Sequence, residues 1–130
     1  MYRWVEHTAE LELAIEAPTR EEVYGEAVRA FAELLDDGEP GAPVRHEIAA
    51  SDSDAATQLA DWLEELVYLV ETEDFVPQRL VEIELAEQEV RGTVEGHRGR
   101  PPHLVKAITY HDLELSPRDG GWQARVVLDV

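Results

Sequence analysis

Helical periodicity occurs twice in this sequence, and the other patterned stretches read as strands. Leu11, Leu13, Ile15 and Ala17 alternate with Glu12, Ala14 and Glu16, so residues 2–17 read as extended, half-buried chain. Pro18 stops that run. Thr19 stands three residues before Glu22, the spacing of a capping box. Val23, Ala27, Ala30, Phe31 and Leu34 then share one helical face, with Glu22, Glu26, Arg29 and Glu33 outside it. A first helix is predicted over about 20–36. A loop follows from Asp37 to Pro43. Leu59, Trp62, Leu63, Leu66 and Val70 form a second stripe, behind N-cap candidates among Ser51, Asp52, Ser53 and Asp54, and predict a helix over about 54–73.

The remaining patterned stretches are strand candidates. They are Val44–Ala50 between the helices, then a run near 76–88, Val90–Glu95, Val105–Leu115 and Trp122–Val130. Gly96, Gly99, Pro101 and Pro102 mark one loop, and Ser116 to Gly121 marks a hairpin loop. Strands gathered after the helices predict an α+β fold, an antiparallel β-sheet with two α-helices packed on it. At 130 residues this is a single domain, 1–130.

Composition removes several chemistries. The chain has no Cys, which excludes disulfides, Cys-ligated zinc, iron–sulfur clusters and thiol nucleophiles. Acidic residues outnumber basic ones 29 to 11, for a formal charge of −18. Nucleic-acid binding needs cations on the phosphates, so no strong direct binding to nucleic acid is expected. Lys106 is the single lysine. The N-terminal stretch has no apolar signal core and no run is long enough to span a membrane, so a soluble, cytoplasmic protein is expected. There is no Gly-rich phosphate loop, and none of the three serines sits in a nucleophile elbow. The five histidines form no HExxH pair, and each reads as a surface or internally satisfied residue. With so many carboxylates, pairs arise by chance. A functional one has to stand out by context.

Two places do. Glu6-His7-Thr8-Ala9-Glu10 brackets a His and a Thr with carboxylates where the first extended run turns or bulges. At the other end, Asp129 follows the apolar Val126-Val127-Leu128 and precedes Val130. A side-chain carboxylate beside a terminal α-carboxylate is a hard-oxygen cluster suited to Ca²⁺, Mg²⁺ or Mn²⁺, to be completed by a carboxylate from another strand.

These segments resemble the archease family. The resemblance covers nearly the whole chain. Glu6-His7-Thr8-Ala9-Glu10 is similar to the family's Asp-His-Thr-Ala-Asp box. Asp54 with Asp61-Trp62-Leu63-Glu64-Glu65-Leu66 is similar to its second helix. Val105-Lys106-Ala107-Ile108-Thr109-Tyr110-His111 is similar to its Lys-Ala-Val/Ile-Thr-Tyr strand, and Val127-Leu128-Asp129-Val130 to its terminal Asp-Ile or Asp-Val.

The resemblance implies a non-enzymatic partner of the GMP-dependent RNA-splicing ligase of the RtcB type. Such a partner promotes guanylylation and multiple turnover of the ligase in tRNA splicing and RNA repair. It implies a divalent metal ion, calcium first and magnesium or manganese after it, held by Glu10, Asp129 and the α-carboxylate of Val130. That set depends on the chain stopping at residue 130. Glu6, His7, Asp54 and Lys106 are supporting or partner-facing candidates. Lys106 either lines a partner-binding face or lies along the surface beside the acidic cluster.

One departure bears on the metal. Both acids of the box are Glu where the family has Asp, which moves each carboxylate about 1.5 Å further from the backbone. Calcium tolerates varied Glu coordination better than magnesium does. Two other readings stay open at this stage. One is a metal-assisted hydrolase using Glu6, Glu10 and Asp129; the other is a metal-independent, chaperone-like interaction module.

Overall fold

A computed structural model describes residues 1–103 and 105–130. The elements run β1 (Tyr2–His7), β2 (Glu10–Ala17), α1 (Arg20–Leu35), β3 (Pro43–Ser51), α2 (Ala55–Thr72), β4 (Phe75–Leu85), β5 (Glu89–Arg98), β6 (Ala107–Arg118) and β7 (Gly121–Asp129). The α+β class and the element order follow the sequence pattern. The strands form two antiparallel sheets rather than one. Sheet A has the order β1-β2-β7-β6 and sheet B the order β3-β5-β4.

Both helices start where their caps dictate. The Thr19 hydroxyl accepts from the Glu22 amide at 3.1 Å, and the Asp54 carboxylate accepts from the Thr57 amide at 2.9 Å. Each satisfies an amide that the first helical turn leaves without an intrahelical partner. Each helix then packs against strands of both sheets, α1 on β2 and β4, α2 on β6 and β3. That arrangement buries their apolar stripes in one core. Trp62 is fully buried, and its indole N–H donates to the Ile48 carbonyl at 2.9 Å. The bond ties α2 to β3 and satisfies the polar end of a large apolar side chain.

Two boundaries and one register differ from the sequence pattern. Gly96 lies inside β5, not in a loop. A Cβ there would stand 2.0 Å from the Val76 carbonyl oxygen, so this glycine permits close approach of β4 rather than a turn. Ser116, Pro117 and Arg118 lie inside β6. The hairpin turn is only Asp119-Gly120, both at positive φ (48° and 80°), the signature of a two-residue type I′ turn. Pro117 is tolerated because β6 is an edge strand. Finally, β6 slips register between Thr109 and Glu114 while β7 advances only from Val127 to Arg125. Residues 110–113 bulge out there, with Asp112 at φ 56°.

The exposed edge of β6 is partly covered. The Ile108 amide donates to the Glu64 carboxylate of α2 at 2.8 Å. The Tyr110 hydroxyl donates to Asp61 at 2.5 Å. Two acids of one helix thus occupy donors at a sheet edge, where unpaired amides invite strand addition.

Candidate metal centre

The centre of interest lies at one end of sheet A, on the face turned away from the helices. Strand alternation assigns the faces. Leu13, Ile15, Ala124, Val126 and Leu128 point into the core, so Glu10, Glu12, Arg125 and Asp129 emerge on the opposite face. β1 and β2 meet at a two-residue hairpin, Thr8-Ala9, with Ala9 at φ 63°. A left-handed alanine carries strain. It sits immediately before Glu10.

Glu10 is the register partner of Asp129. Directly opposed residues of an antiparallel pair share a face, with Cβ atoms about 4.5–5.5 Å apart. Residues from near the two ends of the chain therefore bring two carboxylates side by side. The same row continues on either side. His7 pairs with Glu10, and Ala107 pairs with Asp129. The Lys106 amide donates to the Asp129 carbonyl at 2.8 Å, which fixes the backbone that carries the Asp129 side chain. Val130 follows directly and is exposed.

Like charges placed directly opposite destabilise a strand pair unless something offsets them. A divalent cation would do so, and two hard oxygen donors from adjacent strands suit Ca²⁺, Mg²⁺ or Mn²⁺. Among the described residues no three His, Asp or Glu side chains lie together to hold a metal ion. Glu10 and Asp129 thus fit a hard cation as a pair of donors, and further oxygens would come from the neighbouring main chain and from solvent.

The other candidates separate. Glu6 pairs with Leu11, whose neighbours on that face point into the core. Its side chain leaves the sheet on the face opposite Glu10 and Asp129. The trio Glu6, Glu10 and Asp129 of the hydrolase reading is therefore not assembled. His7 shares the face of Glu10, but its Nε2 lies 3.4 Å from Glu12 Oε1, one row further along. Asp54 is the cap of α2. Hydrogen bonds from the Thr57 amide and hydroxyl hold its carboxyl below the usual range, so its role there is structural. Lys106 is exposed at the start of the row. Asp61 and Glu64 were not singled out individually in the sequence. Their acidic positions on α2 look like ordinary solvated helix face until the β6 edge is placed beside them.

Residues 2–130 match the model of the archease protein family (MTH1598/TM1083). The chain belongs to the archease family. It is 32% identical to protein archease of Methanosarcina mazei, over 99% of this chain and 95% of the relative. It is 33% identical to protein archease of Methanopyrus kandleri, over 97% and 96%. The solution structure of Methanobacterium thermoautotrophicum protein 1598 superposes with a TM-score of 0.72 at 28% identity, covering 99% of this chain and 98% of that one. The crystal structure of an archease from Thermotoga maritima, described as a possible chaperone, also gives a TM-score of 0.72. At 22% identity it speaks for the fold alone. The two-helix, two-sheet α+β architecture is thus the archease fold. No helix among the described residues is long and apolar enough to cross a membrane.

Proposed function

We propose that this archease is an accessory activator of a GMP-dependent RNA-splicing ligase of the RtcB type. In this reading it promotes guanylylation and repeated turnover of the ligase during tRNA splicing and RNA repair in the cytoplasm. In the same reading it acts on the ligase without a catalytic triad of its own. The observation that carries the proposal is the register pairing of Glu10 with Asp129, which juxtaposes the two side chains that the family resemblance assigns to a divalent-metal site.

The roles divide by residue. Glu10 and Asp129 hold the ion, with the α-carboxylate of Val130 as third donor, and calcium is the first choice. A bound cation supplies the positive charge that lets these carboxylates stay adjacent, and it fixes the end of β7 against the β1–β2 hairpin. Lys106 keeps Asp129 in register through its amide. The net charge of −18 suits a basic, RNA-holding partner, because complementary fields raise encounter rates. The ligase would grip the RNA, and this chain need not.

The test is a multiple-turnover ligation with the matched ligase, following ligase guanylylate and joined RNA with and without this protein. Sustained turnover only in its presence is the expected result. Equal product per ligase in both arms would remove the proposal.

A further inference from the structure

The same open face of sheet A carries a second feature, two rows away from Glu10 and Asp129. Arg3 pairs with Ala14, and Ala14 pairs with Arg125. All three emerge on the face turned away from the helices, so two guanidinium stems straddle a single methyl group. Arg118 joins them from the end of β6, and its Nη1 donates to Gln123 Oε1 at 2.7 Å. Together they line a concavity of about 190 Å³. Three of the ten arginines in a chain of charge −18 meet at this one hollow.

The arginines of sheet B make a contrast. Arg45 and Arg79 both clamp Glu95 at 2.8 and 3.0 Å, and Arg91 binds Glu47 at 2.8 Å. Arg3 makes no side-chain hydrogen bond or ion pair among the described residues. Arg125 reaches Glu12 only at 3.7 Å. Glu12, Glu16 and Glu114 also line the hollow. Glu114 is occupied by donors from Ser116 at 2.9 Å and Gln123 at 2.5 Å. Glu12 is the direct competitor for Arg125.

We propose that the Arg3–Ala14–Arg125 trough, with Arg118 at its rim, is a binding site for a phosphate monoester group. Two guanidiniums on either side of Ala14, and a third at the end, outnumber Glu12 and Glu16, the lining carboxylates that Ser116 and Gln123 do not occupy. A tetrahedral oxyanion can accept from all three guanidiniums. The small Ala14 floor lets the anion sit low between the stems. The trough lies about 13 Å along the strands from the Glu10–Asp129 row, four residues at strand rise. It stands independently of the metal proposal.

The test uses inorganic phosphate, and in a second arm a nucleoside monophosphate against the bare nucleoside, all at constant ionic strength. The readout is the arginine Nε–Hε NMR correlations of the whole protein. Saturable shifts are expected at Arg3, Arg118 and Arg125, with Arg91 on sheet B unmoved. R3Q and R125Q should each raise the half-saturating phosphate concentration by about tenfold or more. E12Q should lower it by removing the competitor, and A14E should block binding with all three arginines still present. The nucleoside monophosphate should reproduce the phosphate shifts and the nucleoside should not. The proposal is overturned by the absence of a saturable shift, by equal shifts at Arg91, or by unchanged saturation in both arginine variants and A14E.

Discussion

Of the four described non-glycine residues at positive φ, Ala9 is the one that is not an aspartate and has no polar side chain to support the conformation. It holds a left-handed conformation that costs a non-glycine residue about 1–2 kcal/mol, directly before a proposed metal ligand. Replacing Ala9 by Gly is expected to stabilise the protein by about 0.5–1 kcal/mol, since relief of strain exceeds the entropy that Gly adds to the unfolded chain. Thermal or urea unfolding checks this. The Tyr110 hydroxyl makes a second residue-scale prediction. Its hydrogen bond to Asp61, then burial and the charge of Asp61, push its pKa up to about 12. The raised value means that the contact supports the fold below pH 10 and is lost as pH rises through about 12. In the Asp61→Asn variant the hydroxyl should ionise closer to 10, as followed by NMR of the labelled Tyr110 ring carbon. An unchanged titration would show that Asp61 does not hold it. The turn within residues 6–10 was legible beforehand, but its strained residue was not. Left-handed φ at an alanine has no composition signature, and Tyr110 meets Asp61 only once β6 packs beside α2.

At the scale of elements, the helices were the most legible part. An apolar stripe and a capping residue are both local, so the boundaries of α1 and α2 fell within a residue or two of the expectation. Asp54→Ala should cost about 1 kcal/mol by removing the α2 cap. Because hydrogen bonds hold the Asp54 carboxyl below its ordinary range, the contribution is present above the usual carboxylate pKa. It is lost as pH falls through the lowered one. The variant should therefore show a shallower loss of stability in acid, measured by denaturant unfolding from neutral to acidic pH. Strands were legible in place but not in partnership. Gly96 read as a loop residue because composition cannot distinguish a glycine that bends the chain from one that admits a neighbour. Gly96→Ala should destabilise by about 1–3 kcal/mol, since its Cβ would meet backbone rather than a yielding side chain.

For the molecule as a whole, the division into two sheets was not readable, because it depends on which distant strands pair. Antiparallel alternation is the same for one sheet of seven strands as for sheets of four and three. The same limit applied to the candidate site. Glu10 and Asp129 each stood out by local context, the family resemblance joined them into one ligand set, and their register pairing was visible only when β2 met β7. That pairing joins segments near both ends of the chain. Glu6, drawn into the hydrolase reading by its nearness in sequence, fell on the other face through the strict two-residue period of β1. A metal bound at Glu10 and Asp129 should stabilise the whole fold. Saturation at about a hundred times Kd corresponds to about 2.7 kcal/mol, and a chelator should reverse the rise in melting temperature.

The most direct measurement of the central claim counts ligation cycles per ligase in the presence of the wild-type protein, Glu10→Ala or Asp129→Asn, with folding of each variant verified beforehand. The account predicts many cycles with the wild type, and a fall toward the unassisted ligase with either folded variant. Undiminished cycles with both variants would contradict it, because the paired carboxylates would then have no part in activation.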